Sequence, residues 1–143
     1  MASHPQLLVL AACAQALLTI VVLLVLGARR RTAYKAGKVG REAMLDDRVW
    51  PSHVMKASNN YKNQFEMPVL FFAAVATALA MQAATVMLVW LAWGFVAARI
   101  VHSVCHCGSN RLPVRFTSFF ASVIAVAIMW IMLASHALST GTS

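Results

Sequence analysis

The chain has 143 residues, of which 61% are hydrophobic and 11% charged, and its mean hydropathy is +0.73. A soluble domain of this length cannot bury so much apolar surface, so the composition favours a membrane protein. The formal charge of +8 raises nucleic acid as a partner, but nine of the twelve basic residues fall between Arg29 and Lys62. Basic residues confined to loops of an apolar chain are typical of membrane orientation. We therefore expect no nucleic-acid partner.

The first apolar segment covers residues 7–26 and is interrupted only by Gln15 and Thr19. At ~1.5 Å per residue it is about as long as the ~30 Å hydrocarbon core of a bilayer. No basic residue precedes it and Arg29–Arg31 follow it, which is the reverse of a secretory signal. The pattern predicts an uncleaved span with its N-terminus outside, followed by a basic cytoplasmic loop over residues 28–64.

Residues 65–101 are almost continuously apolar. As one helix they would extend roughly 55 Å, far more than a bilayer core requires, so they predict two spans. The polar residues Gln82 and Thr85 indicate the position of the external turn that joins these two spans. The predicted second and third spans are residues 65–82 and 86–107.

A turn is predicted at residues 108–113, where Gly108 ends the third helix and Ser109 or Asn110 caps the fourth. The fourth span covers residues 114–138. Four spans place both basic loops in the cytoplasm and both termini outside. The prediction is one domain, residues 1–143, folded as an all-α membrane bundle of four transmembrane helices.

Polar groups cluster at the cytoplasmic ends of three predicted helices. Ionisable groups within spans are costly and mark functional sites. The second helix carries Lys62, Asn63 and Glu66, the third carries Arg99, His102, Ser103 and His106, and the fourth begins with Arg111 and Arg115. The third set recurs at i, i+3, i+4 and i+7, which is one helix face. Because all three sets lie at one membrane depth, we expect them to face one another or a polar cavity.

Each group also has a structural interpretation. Glu66 could pair with Arg99 and fix helix packing. The outer cations could extend to anionic headgroups, and the two histidines could be hydrogen-bonded packing residues.

A metal or haem site is a further alternative, because His102 and His106 lie four residues apart with Cys105 and Cys107 beside them. The two cysteines are separated by roughly 200° around a helix, so one helix cannot bring both to one metal. With Cys13 they make three cysteines, an odd number that is not a disulfide framework. Our leading prediction therefore contains no metal.

The polar set better suits a small zwitterion with more than one carboxylate. Arginine binds carboxylates through a fork of donors, and Glu66 can receive an ammonium group. A guanidinium near a thiol favours the thiolate, which is the nucleophilic form. Glutathione fits each of these features, although the charge pattern alone does not select it.

Two segments resemble the MAPEG family, the membrane-associated proteins in eicosanoid and glutathione metabolism, and in particular its bacterial members. They are NYKNQFEMPVLFF, residues 60–72, and ARIVHSVCHCGSNRLPVRF, residues 98–116. The resemblance covers the whole chain in order. It implies a homotrimer in the bacterial inner membrane, with glutathione sites between subunits near the cytoplasmic face.

The resemblance also implies roles for individual residues. Arg115 would be catalytic, since it matches the arginine that stabilises the glutathione thiolate. The binding shell would be Lys62, Asn63, Glu66, Arg99, His102, His106 and Arg111. Lys62 stands where the family often has arginine, and His106 where well-studied members have tyrosine. Phe116 and Phe119 depart from the serine and the ligand-contacting tyrosine expected there.

The leading functional prediction is a glutathione-dependent transferase or peroxidase that acts on lipophilic electrophiles, with glutathione as cosubstrate. A hydrophobic substrate would arrive from the lipid. The alternatives are a non-catalytic membrane bundle that kept the fold and a His/Cys metal or haem protein. The sequence does not select among conjugation, peroxide reduction and isomerisation, nor the second substrate.

Overall fold

The computed structural model describes residues 2–140, and within them it is helical, with no strand. The α-helices are α1 His4–Lys35, α2 Ser52–Lys62, α3 Met67–Ala80, α4 Val86–Cys107 and α5 Leu112–Thr140. Three short 3₁₀ helices cover Arg41–Met44, Asp47–Val49 and Asn63–Phe65. Met1 and residues 141–143, which belong to the predicted domain and polar tail, lie outside the described part.

Four helical units are long and apolar enough to cross a membrane: α1, the unit Ser52–Ala80, α4 and α5. The predicted all-α membrane fold with four spans is therefore confirmed. α4 occupies the predicted range 86–107, and the turn before it lies at Gln82 and Thr85, where Thr85 caps α4 by accepting from the Leu88 N–H at 3.3 Å.

α1 is longer than the predicted first span. It has 32 residues, about 48 Å at ~1.5 Å per residue, so its basic end projects beyond a ~30 Å hydrocarbon core. It ends where Gly37 adopts a φ of +65°. The Gly37 N–H then bonds to Tyr34 O and the Lys38 N–H to Ala33 O, a Schellman motif in which glycine adopts the positive φ at no steric cost.

The second span is not the continuous helix predicted over residues 65–82. α2 begins soon after Pro51, and the chain passes through a 3₁₀ turn and bends at Glu66 (φ −99°, ψ −96°) before α3 starts. Pro68 explains the break, because a proline inside a helix clashes with the carbonyl four residues earlier. The bend turns the polar residues of this segment towards α4.

The apolar core lies around α4, which packs mainly against α5 and α1. The Phe71 and Phe95 rings stack with centroids 4.3 Å apart and planes at 7°. Met129 of α5 is fully buried beside them. This packing fixes α4 as the central helix, so groups on its polar face are held at defined positions.

Candidate functional site

The polar stripe predicted on α4 is buried, and its side chains bond to the neighbouring elements on both sides of the helix. Arg99, His102, Ser103 and His106 are each at most 4% exposed. Ser103 hydrogen-bonds to α2. Arg99 bonds to the 3₁₀ turn before α3, and His102 bonds to α5. Of these residues, His102 lines a cavity.

This cavity has a volume of about 190 Å³ and lies where α3 begins, α4 ends and α5 begins. Its lining is Asn63, Glu66, His102, Arg115, Phe116 and Phe119. Four of these are predicted site residues, and the two phenylalanines are the positions where the resemblance implied a serine and a tyrosine. The cavity therefore combines one carboxylate, one amide, one imidazole and one guanidinium with an aromatic wall.

Arg99 lies directly behind this lining and is fully buried. Its Nη2 donates to Asn63 O at 2.8 Å. Its Nε and Nη1 find no partner within residues 2–140. Glu66 interacts with Arg99 electrostatically, but the described residues contain no direct ion pair between them. A buried guanidinium with unsatisfied N–H groups is costly, so this position would be stabilised by an anion.

The orientation of His102 is set by the backbone of α5. Its Nδ1 lies 3.1 Å from Arg115 O. Because a carbonyl oxygen only accepts, Nδ1 carries the proton and Nε2 of the neutral ring is an acceptor. That Nε2 and His106 Nδ1 are buried without partners in the described chain. The neutral His102 ring therefore keeps one unpartnered acceptor nitrogen next to the cavity that this residue lines.

Arg115 is held by Asn110, one of the two residues predicted as alternative caps of the fourth helix. α5 begins only at Leu112, and the Asn110 side-chain oxygen instead accepts from Arg115 Nη1 at 3.0 Å. Asn110 has a φ of +51°, a conformation that asparagine tolerates better than most residues. The Arg115 guanidinium also lies 5.7 Å from the Phe116 ring centre. Two contacts therefore orient this cation at the cavity.

Two predicted binding residues lie away from the cavity in a single chain. The Lys62 ammonium pairs with Asp47 Oδ2 at 3.0 Å. Arg111 lines a separate groove beside Val104, and its carbonyl accepts from the Cys105 thiol at 3.4 Å. His106 is next to the cavity lining, with its ring centre 5.4 Å from that of His102. Their roles in binding stay predictions.

A buried amide network was missed by the sequence analysis. Gln15 Nε2 donates to Gln64 Oε1 at 3.0 Å, and Gln64 Nε2 donates to Asn60 and to Ser103 Oγ. The Asn60 amide continues to Cys107 Sγ at 3.2 Å. The signal was present, because Gln15 is a lone amide in an apolar span and Asn60 and Gln64 lie four residues apart. The network fixes the 3₁₀ turn that carries Asn63.

The metal alternative has little geometric support in the described chain. Within residues 2–140, no three His, Cys, Asp or Glu side chains form a group that could hold a metal ion. Cys105 bonds to Arg111 O on one side of α4, and Cys107 accepts from Asn60 on another. The separation of the two thiols agrees with their spacing on one helix.

Comparison with known proteins gives one match. The model described as the MAPEG family matches residues 7–135. The matched range includes all four span-capable helical units in most of their length and every residue that lines the cavity. No curated protein and no solved structure matches the chain.

Proposed function

The chain belongs to the MAPEG family, and on that premise we propose that it is a bacterial glutathione-dependent transferase or peroxidase acting on lipophilic electrophiles. One observation carries the proposal: the cavity joins Glu66, Asn63, His102 and Arg115 beside the unsatisfied guanidinium of Arg99. This donor and acceptor set suits a zwitterionic thiol peptide better than an apolar ligand.

Each charged part of glutathione has a counterpart among these residues. Glu66 receives the α-ammonium group, and the Asn63 amide can donate to and accept from a peptide bond. The guanidinium of Arg99, which is buried behind this lining with two unpartnered nitrogens, is suited to attract a carboxylate. The thiol then lies towards Arg115. A guanidinium lowers the pKa of a thiol and so raises the fraction present as thiolate.

The proposed conjugation step uses groups that line the cavity. The thiol proton passes to solvent or to His102 Nε2, whose other nitrogen is already protonated and bound to Arg115 O. The thiolate forms a bond to the electrophilic carbon, and the leaving group departs with the bonding electron pair. Phe116 and Phe120 are 52% and 57% exposed, and they provide an apolar entry for a substrate from lipid.

A homotrimer is part of the proposal. The cavity of about 190 Å³ is below the range of roughly 300–1,000 Å³ that small-molecule sites usually have. A tripeptide would therefore extend beyond one chain. A neighbouring subunit could complete the site and bring Lys62 or Arg111 to it. Basic residues concentrated in the loop also support a cytoplasmic position for this end, in the bacterial inner membrane.

The direct test is turnover by the purified protein in detergent with glutathione and a hydrophobic aryl halide. We expect conjugate formation that saturates with glutathione. Absence of turnover together with absence of glutathione binding would contradict the proposal and favour the non-catalytic bundle. Turnover that does not depend on glutathione would also contradict it.

Replacing Glu66 with glutamine should weaken glutathione binding about 10- to 100-fold, because a charge-assisted hydrogen bond contributes roughly 1.5–3 kcal/mol. We expect a higher KM for glutathione and a smaller change in kcat. A matched control is Glu42→Gln, since Glu42 binds the Gly40 N–H in the loop and is remote from the cavity. Equal KM values for glutathione in the two variants would show that Glu66 does not bind glutathione.

Replacing Asn110 with glycine should lower kcat about tenfold with little change in the KM for glutathione. Glycine keeps the positive φ but deletes the acceptor that holds Arg115. An Arg115 guanidinium that is no longer held in place should lose part of its effect on kcat, because this effect depends on its position. Steady-state kinetics of Asn110→Gly beside Ser109→Gly, a neighbour in the same turn, tests this. A change confined to KM would show that Asn110 does not position the catalytic cation.

A further inference from the structure

A second and larger concave site lies outside the candidate active site. It is a groove of about 550 Å³ where the end of α1 meets the 28–64 loop. The side chains that matter here are Arg30, Arg31, Tyr34, Asp47 and Trp50. None of them lines the cavity that contains Arg115, so the groove needs an explanation of its own.

The groove lies at the level of lipid headgroups. The apolar run of α1 ends at Leu26, and Arg30 and Arg31 follow about 6–8 Å further along the helix axis. The headgroup region extends roughly 5–8 Å beyond each side of the hydrocarbon core. Tyr34 and Trp50 add two of the aromatic residues that are enriched at this boundary. A ligand in the groove would therefore be a neighbour of the bilayer surface.

The groove carries positive charge that the protein does not use fully. Asp47 accepts from Arg30 Nη2 at 2.9 Å and from Lys62 at 3.0 Å. One carboxylate is therefore paired with two cations, and the three groups together carry a net positive charge. Arg30 Nε is buried without a partner in the described chain. Arg31 is exposed and makes no hydrogen bond or ion pair within residues 2–140. Arg31 thus keeps its guanidinium donors free at the groove, and Arg30 adds a donor that is buried and left without a partner.

The walls of the groove are held by contacts that leave those donors in place. The Arg30 guanidinium lies 5.3 Å from the Trp50 ring centre, a cation–π distance. Trp50 Nε1 donates to Ala43 O at 3.1 Å, which joins two parts of the loop, so the contact with Arg30 is the one that ties the loop to α1. The groove is therefore an ordered part of the loop.

We infer that this groove binds the phosphate of an anionic phospholipid. Arginine matches phosphate through paired N–H donors, and basic residues just beyond a span favour anionic lipids. The loop also exposes Leu45 by 94% and Val49 by 39%. Exposed apolar side chains at headgroup level suit contact with acyl chains. A soluble phosphate compound would leave them in water.

The test is calorimetric titration of the full chain in neutral detergent with short-chain phosphatidylglycerol. Phosphatidylcholine with the same chains and free glycerol phosphate form two further arms. We expect saturable binding of phosphatidylglycerol and much weaker binding in the other arms. Arg31→Gln should weaken phosphatidylglycerol binding about fivefold, because one basic residue near a membrane surface contributes about 1 kcal/mol.

Arg48→Gln is the matched control, because it removes the same charge from the same loop, where Arg48 pairs with Asp46 outside the groove. Equal losses in Arg31→Gln and Arg48→Gln would show diffuse attraction and overturn the site. Equal affinity for glycerol phosphate would overturn the lipid as its occupant. An unchanged lipid affinity with a changed oligomer mass in Arg31→Gln would instead assign the groove to contact between copies of the chain.

Discussion

Replacing Arg115 with alanine is expected to lower kcat about 10²- to 10³-fold, the usual effect of deleting one preorganised charge-stabilising group. Glutathione affinity should change much less, because the ammonium and carboxylate groups would still be bound by Glu66 and the residues near Arg99. Arg115 lines the cavity with its guanidinium oriented by Asn110 and the Phe116 ring. Arg115 would act mainly by stabilising the negative charge of the thiolate, which is the form of glutathione that reacts.

The matched variants are Arg115→Lys and Arg48→Ala. Lysine keeps the charge but not the fork that binds Asn110, so an intermediate kcat is expected. Arg48 is an exposed arginine of the loop, and its loss should leave kcat unchanged. Turnover and calorimetric glutathione affinity should be measured on the same preparations. Equal losses of kcat and affinity in Arg115→Ala would refute a special role in thiolate stabilisation.

Replacing Gln64 with leucine should produce the largest loss of stability, about 2–4 kcal/mol, since its side chain bonds to three buried residues and Gln15 is left without a partner for its amide. Gln64 is 2% exposed, accepts from Gln15 and donates to Asn60 and Ser103. The change would also loosen the 3₁₀ turn that presents Asn63. A lower thermal midpoint in detergent, with weaker glutathione binding, is the expected result.

Two control variants distinguish the loss of the buried amide network from a general effect of replacing glutamine with leucine. Gln6→Leu removes an exposed amide at the start of α1 and should cost far less. The double variant Gln15→Leu with Gln64→Leu removes both members of one pair, so it should be less destabilised than the sum of the single variants. A thermal midpoint in Gln64→Leu equal to that of Gln6→Leu would contradict this account.

Periodicity predicted the parts of the molecule that depend on local pattern. The lengths of the apolar segments predicted four spans, and the spacing of Arg99, His102 and His106 predicted that they share one helix face. Glu66 and Arg115 line a common cavity, as expected for polar groups at one membrane depth that avoid contact with lipid. These inferences needed no knowledge of loop geometry.

The features that the sequence analysis missed depend on long side chains and on backbone geometry. Lys62 pairs with Asp47, fifteen residues away across an irregular loop, where no periodicity relates the two. The bend at Glu66 follows from Pro68, a breaker hidden inside an apolar run. The predicted cap, Ser109 or Asn110, does not anticipate that Asn110 adopts a positive φ and accepts a hydrogen bond from Arg115.

The central claim is that the cavity binds glutathione and favours its thiolate. Calorimetric titration of the purified protein with glutathione tests it most directly when repeated in two buffers with different heats of ionisation. The account predicts saturable binding at or below millimolar concentrations, with buffer-dependent heats that report proton release from the thiol. Absence of saturable binding at physiological millimolar concentrations would contradict it, and the buried polar stripe would then act as a packing network.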